Sequence, residues 1–84
     1  MFAKLFDSEK HGQILVKSDT GGDDYAPEIR FYFESNNPNF GICSVALTYT
    51  NDDSGFDKRD EAFKSLGLQL AEKVVNDTKQ KIGI

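Results

Sequence analysis

DKRDEAFKSLGLQLAEKVVNDTKQK, residues 57–81, is the stretch on which the fold turns. Phe63, Leu66, Leu70 and Val74 are three or four residues apart, the spacing that keeps side chains on one side of an α-helix. Gly67, Ala71 and Thr78 flank that line. Asp57 is the expected N-cap, its short carboxylate accepting a free backbone N–H of the first turn. Asp60 and Glu61 place negative charge near the positive end of the helix dipole, and Lys79 and Lys81 place positive charge near the other. Gly83 is the expected stop.

A second apolar line, Leu68, Val75 and Ile82, repeats every seventh residue. It widens the apolar arc beyond the ~100° that one contact surface requires. A single helix of about 24 residues would span ~36 Å, whereas a strand of seven or eight residues reaches only ~25 Å. The sequence therefore predicts either a bend at Gly67 or fraying, or an overhang that offers Val75 and Ile82 to a partner.

The 84 residues suit one α+β domain, 1–84, with one modest core. A hydrophobic fraction of 38% and a charged fraction of 29% are those of a folded, water-soluble chain. Seven Phe and three Tyr supply much of the area to be buried. The net charge of −4 argues against direct binding to nucleic acid or to an anionic membrane, since both require positive potential. One cysteine allows no internal disulfide. No signal-peptide pattern opens the chain, and no apolar run approaches the ~20 residues of a membrane span. A cytoplasmic location is expected.

Upstream of the helical stretch the period is two. Strands are expected at Phe2 to Asp7, Gln13 to Asp19, Ile29 to Ser35 and Phe40 to Thr50, separated by turns rich in Gly, Asn, Asp and Ser. Every link between strands is too short for a parallel crossover. The expected fold is therefore a four-stranded antiparallel meander with one long C-terminal helix across one face, ββββα. Ile14, Val16, Phe31, Phe33, Val45 and Leu47 form the covered face. Leu15, Tyr32, Ile42 and Ala46 form the other, with the Phe2, Lys4 and Phe6 positions as candidates to join them. A half-solvated antiparallel sheet ordinarily carries a polar outer face, and this one is mixed.

Patterns that suggest chemistry are better explained by structure. From Thr50, the spacing of Asp52, Ser54, Gly55 and Glu61 follows that of a calcium loop, but Thr50 replaces the first aspartate and no helix precedes it. A capped strand-to-helix turn accounts for the same letters. Cys43 falls on the covered face, where a thiol is a small hydrophobe, and nothing aims His11 at it. One His and one Cys cannot build a standard zinc site. Gly21 and Gly22 precede Asp23 and Asp24, whose charge would repel a phosphate. Phe31 and Phe33 resemble RNA-stacking aromatics only in a chain of the wrong sign. No catalytic, cofactor or metal site is expected.

The expected role is a non-enzymatic protein-interaction module, a homodimer or a partner of another protein, with contacts at Leu15, Tyr32, Ile42, Ala46, Val75 and Ile82. An alternative follows from the acidic loops. In a meander the loops after the second and fourth strands emerge at one end, which would gather Asp23, Asp24, Asp52 and Asp53 into an acidic rim. Such a rim suits an inhibitor or regulator, of the kind a mobile element encodes, that occupies a basic nucleic-acid-binding surface. A small-ligand pocket beneath the helix is a third reading, without a catalytic constellation to support it.

Overall fold

The computed structural model describes residues 2–37 and 39–82. The expected helix stop at Gly83 lies outside them. Four strands, β1 (Phe2–Ser8), β2 (Gly12–Gly21), β3 (Ala26–Glu34) and β4 (Ile42–Thr48), form one antiparallel sheet in the order β1-β2-β3-β4. The meander follows from its turns. Gly12 and Gly22 both take positive φ, 74° in each case, which a side chain would resist. In the first turn the Ser8 hydroxyl accepts hydrogen bonds from the backbone N–H groups of Lys10 and His11.

The register is Leu5↔Leu15, Leu15↔Tyr32 and Tyr32↔Ser44 across the centre of the sheet. One face buries Ile14, Val16, Ile29, Phe31 and Phe33, none more than 1% exposed. Val45 and Cys43 pack against that cluster from β4. Leu47, expected on the covered face, stays 37% exposed.

The helical cover differs from the expectation of one long helix. It consists of α1 (Asp53–Ser65) and α2 (Leu68–Ile82), broken at Leu66–Gly67. The N-cap is Asp52 rather than Asp57, because the Asp52 carboxylate accepts from the Gly55 N–H at 2.7 Å and from the Thr50 hydroxyl at 2.9 Å. Helix α1 thus begins five residues early. It ends where Leu66 turns extended (φ −69°, ψ 125°), dropping its side chain into the core at 5% exposure.

Lys4 meets the chain at that break. Its ammonium donates to the carbonyls of Phe63, Lys64 and Leu66, which a helix end leaves without partners. It also lies 4.9 Å from the Phe63 ring centroid. Phe2, Lys4 and Phe6 therefore share the covered face, and the suggestion that they join the open one is corrected: Ala3, Leu5 and Asp7 stand there instead.

The break also re-phases the second half of the cover. In an unbroken helix Phe63 and Ala71 would differ by ~80° around the axis. With two independent helices α2 turns Ala71, Val75 and Lys79 to the sheet, one helical turn apart, and all are buried. Leu70, expected on the core line, is 42% exposed. Val75, expected on an overhang, is fully buried, and its place among partner contacts is withdrawn.

Candidate interaction surface

Both helices lie on one side, so none of the described elements covers the other face of the sheet. Its centre is a row that crosses all four strands: Leu5, Leu15, Tyr32 and Ser44. Leu5 is 60% exposed, while Leu15 and Tyr32 are half-buried. Ile42, 65% exposed, stands beside the row on β4. Ala46, two residues from Ser44, keeps the other side of that edge low. Between these side chains runs a shallow concavity of about 470 Å³, floored by Leu15 and Tyr32 and walled by Leu5, Ile42 and the stems of Lys17 and Glu34. Mixed polarity of this kind is unusual for a face meant only for water.

Charged rows flank the apolar one. On one side Lys17 and Arg30 are directly paired across β2 and β3. The Lys17 ammonium lies 5.4 Å from the Tyr32 ring centroid. Arg30 donates to Glu28 through Nε at 2.6 Å and through Nη2 at 3.2 Å, and through Nη1 to Ser44 at 3.0 Å. That bidentate pair with Glu28 holds the Arg30 pKa above its ordinary value, against a smaller opposing effect of burial. Glu28 is only 5% exposed because its carboxylate folds over Gly21, where an added Cβ would fall 2.0 Å from Oε1. On the far side of the apolar row stand Asp7 on β1 and Glu34 on β3, both exposed.

The expected contact residues therefore divide. Leu15, Tyr32, Ile42 and Ala46 share the open face. Val75 is in the core, and Ile82, 58% exposed, ends α2 on the opposite side of the sheet. Leu5 was missed. The alternation in FAKLF could have revealed it, but either phase of that strand pairs apolar with polar residues.

The acidic rim is assembled as expected at one end. The Asn51 side chain donates to the Asp24 carbonyl at 2.8 Å, joining the β2–β3 turn to the start of α1. Arg59 donates to the Asp19 carbonyl at 2.8 Å and stiffens the same junction. Asp23, Asp24, Asp52 and Asp53 are all exposed there. Asp52 is occupied as the cap, and its bonds from the Gly55 N–H and the Thr50 hydroxyl lower its pKa below 3.8. In the stretch with calcium-loop spacing, the Asp52 carboxylate is engaged by the Gly55 N–H and the Thr50 hydroxyl, and an added Cβ on Gly55 would fall 1.7 Å from the Thr50 carbonyl oxygen. Among the described residues no three His, Cys, Asp or Glu converge to hold a metal ion.

A polar cluster ties α2 to the rest. Ser8 donates to Glu72 at 2.6 Å. Buried Lys79 donates to Asn36 at 3.1 Å and lies 3.2 Å from His11 Nδ1, which makes Nδ1 the acceptor and Nε2 the protonated nitrogen. Nε2 is enclosed and has no partner among the described residues. Burial, then the Lys79 charge, lower the His11 pKa below 6.5; Glu72 opposes and Lys10 assists. Cys43 packs against the core on β4, and Phe31 and Phe33 are too deeply buried to stack on a base. Among the described residues no helix is long and apolar enough to cross a membrane. Compared with protein-family profiles, curated proteins and solved structures, the chain matches none.

Proposed function

We propose that this chain is a small non-enzymatic protein-interaction module that self-associates through the open face of its sheet. The observation behind this reading is the row Leu5–Leu15–Tyr32 across β1, β2 and β3, with Leu5 in the row and Ile42 beside it on β4 left 60% and 65% exposed. Four strands ~4.8 Å apart, each of about seven residues rising ~3.3 Å, outline a face of ~19 by ~23 Å. Pairing two such faces buries ~900 Å² in projection, somewhat more with side-chain relief, at the low end of specific interfaces. A reversible dimer in the micromolar range is expected. Sedimentation from ~1 μM to ~1 mM should show a monomer–dimer transition, which Leu5→Glu should shift to higher concentration without changing the thermal melt. A chain that stays monomeric up to ~1 mM refutes this reading.

A second reading draws support from the Asn51–Asp24 bond, which sets two acidic loops side by side. The rim would then serve an acidic regulator that occupies a basic nucleic-acid-binding surface of another protein. Capture of such a protein should weaken as salt rises; capture indifferent to salt removes the idea.

A further inference from the structure

The open face carries a charge pattern that favours one way of pairing two copies. Its central row, Leu5–Leu15–Tyr32 with the polar Ser44 on β4, separates a side carrying Lys17 and Arg30, the latter already paired with Glu28, from a negative one. Lys17 and Arg30 stand one step to one side, Asp7 and Glu34 one step to the other. Among the described residues the ion pairs are Arg30–Glu28, Arg59–Asp60 and Lys73–Asp77, so Lys17, Asp7 and Glu34 enter none.

Two sheets of this kind can meet face to face about either of two in-plane two-fold axes. An axis parallel to the strands returns each row to itself, setting Lys17 and Arg30 against their own counterparts. An axis along the apolar row exchanges the two sides, so each positive row meets a negative one. Like charges brought together at an interface are strongly unfavourable, and only the second axis avoids this.

We propose that a second copy of the chain docks on the open face about a two-fold axis along the Leu5–Leu15–Tyr32–Ser44 row. The inference rests on the self-association reading above and specifies its geometry. Each strand lies antiparallel over its own counterpart, the aligned arrangement that sheets ~10 Å apart adopt. Lys17 sits between the counterparts of Asp7 and Glu34. Ile42 faces the counterpart of Ala46, a large side chain over a small one. The interface is isologous and closes at two copies, so no fibre grows from it.

The test is a charge exchange between chains. Within one chain Asp7 and Lys17 lie about four residue steps apart along the strands, ~13 Å, too far to pair directly. Asp7→Lys alone sets the new lysine against the counterpart of Lys17. Lys17→Glu alone sets the new glutamate against the counterparts of Asp7 and Glu34. Each should raise the dimer dissociation constant about tenfold, since every change acts at two symmetric contacts. Mixed in equal amounts, the two variants should form a heterodimer near the affinity of the unaltered dimer, because the lysine of one then faces the glutamate of the other.

Sedimentation of the separate and mixed variants, with one partner fluorescently labelled, reads this directly. Recovery on mixing supports the proposed axis. If either variant dimerises as well alone, or if mixing restores nothing, the axis is wrong while self-association stands. A monomeric unaltered chain removes both. Far-UV circular dichroism of each variant excludes loss of fold; Asp7 is exposed and Lys17 half-buried on the open face.

Discussion

Lys4→Met isolates the contact that joins the first strand to the helical cover. In the folded chain the Lys4 ammonium serves three carbonyls at the end of α1, at 2.5, 3.2 and 3.0 Å from those of Phe63, Lys64 and Leu66. Methionine keeps an unbranched stem on Phe63 and removes only the charge and its hydrogens. A cation at a partly buried helix C-terminus contributes up to ~2 kcal/mol. Hydrogen bonds from a charged donor contribute ~1.5–3 kcal/mol, and a cation over an aromatic ring ~0.5–1 kcal/mol. These are overlapping descriptions of one ammonium and do not add. Lys4 is half-buried, so water reaches some of the released carbonyls, and the apolar methionine offsets part of the loss. A net loss of about 2 kcal/mol is expected. For a chain of this size that is a fall in Tm of roughly 8–16 °C. Urea unfolding followed by circular dichroism measures it, with Lys64→Met, an exposed lysine of the same helix end, as control. If Lys4→Met costs less than ~0.5 kcal/mol, or no more than the control, then Lys4 does not hold the α1 end and the break needs another cause.

Val75→Ala should cost about 2–3 kcal/mol through lost burial and a residual cavity, whereas Ile82→Ala should stay within ~0.5 kcal/mol. Equal losses in chemical denaturation would contradict the assignment of Val75 to the core and Ile82 to the surface. His11 predicts a pH dependence. Its pKa is below 6.5 in the folded chain, so unfolding takes up a proton. The stability this confers is fully present above pH 6.5 and is lost as pH falls through the lowered folded value. His11→Asn should flatten that part of the stability profile, and an unaltered slope between pH ~7.5 and ~5.5 would contradict it.

The same residues show how far local pattern reaches. Short links and alternating β2, β3 and β4 were enough to give an antiparallel meander, its order and its covered face, since side-chain alternation is local and holds whatever the strand packs against. The open-face positions Leu15, Tyr32, Ile42 and Ala46 followed from that alternation, and the joining of the two acidic loops followed from the topology.

What the sequence by itself determined, then, is the four strands, the helical character of the C-terminal part and the two faces of three strands. Tertiary structure alone decided the phase of β1, because FAKLF reads as well with Leu5 inward as with Phe2, Lys4 and Phe6 inward. The choice rests on carbonyls about 60 residues away that need a cation, and Lys4 supplies it. The helix break falls at Leu66–Gly67, where a bend at Gly67 was one of the readings the sequence offered, but the sequence left it open against an overhang. A periodicity spanning residues 57–81 does not record that the last carbonyls of α1 are satisfied from another strand. Once they are, α2 rotates freely about its own axis, and Val75, not Leu70, meets the sheet. Burial is a property of which surfaces meet, and contacts distant in sequence settle that.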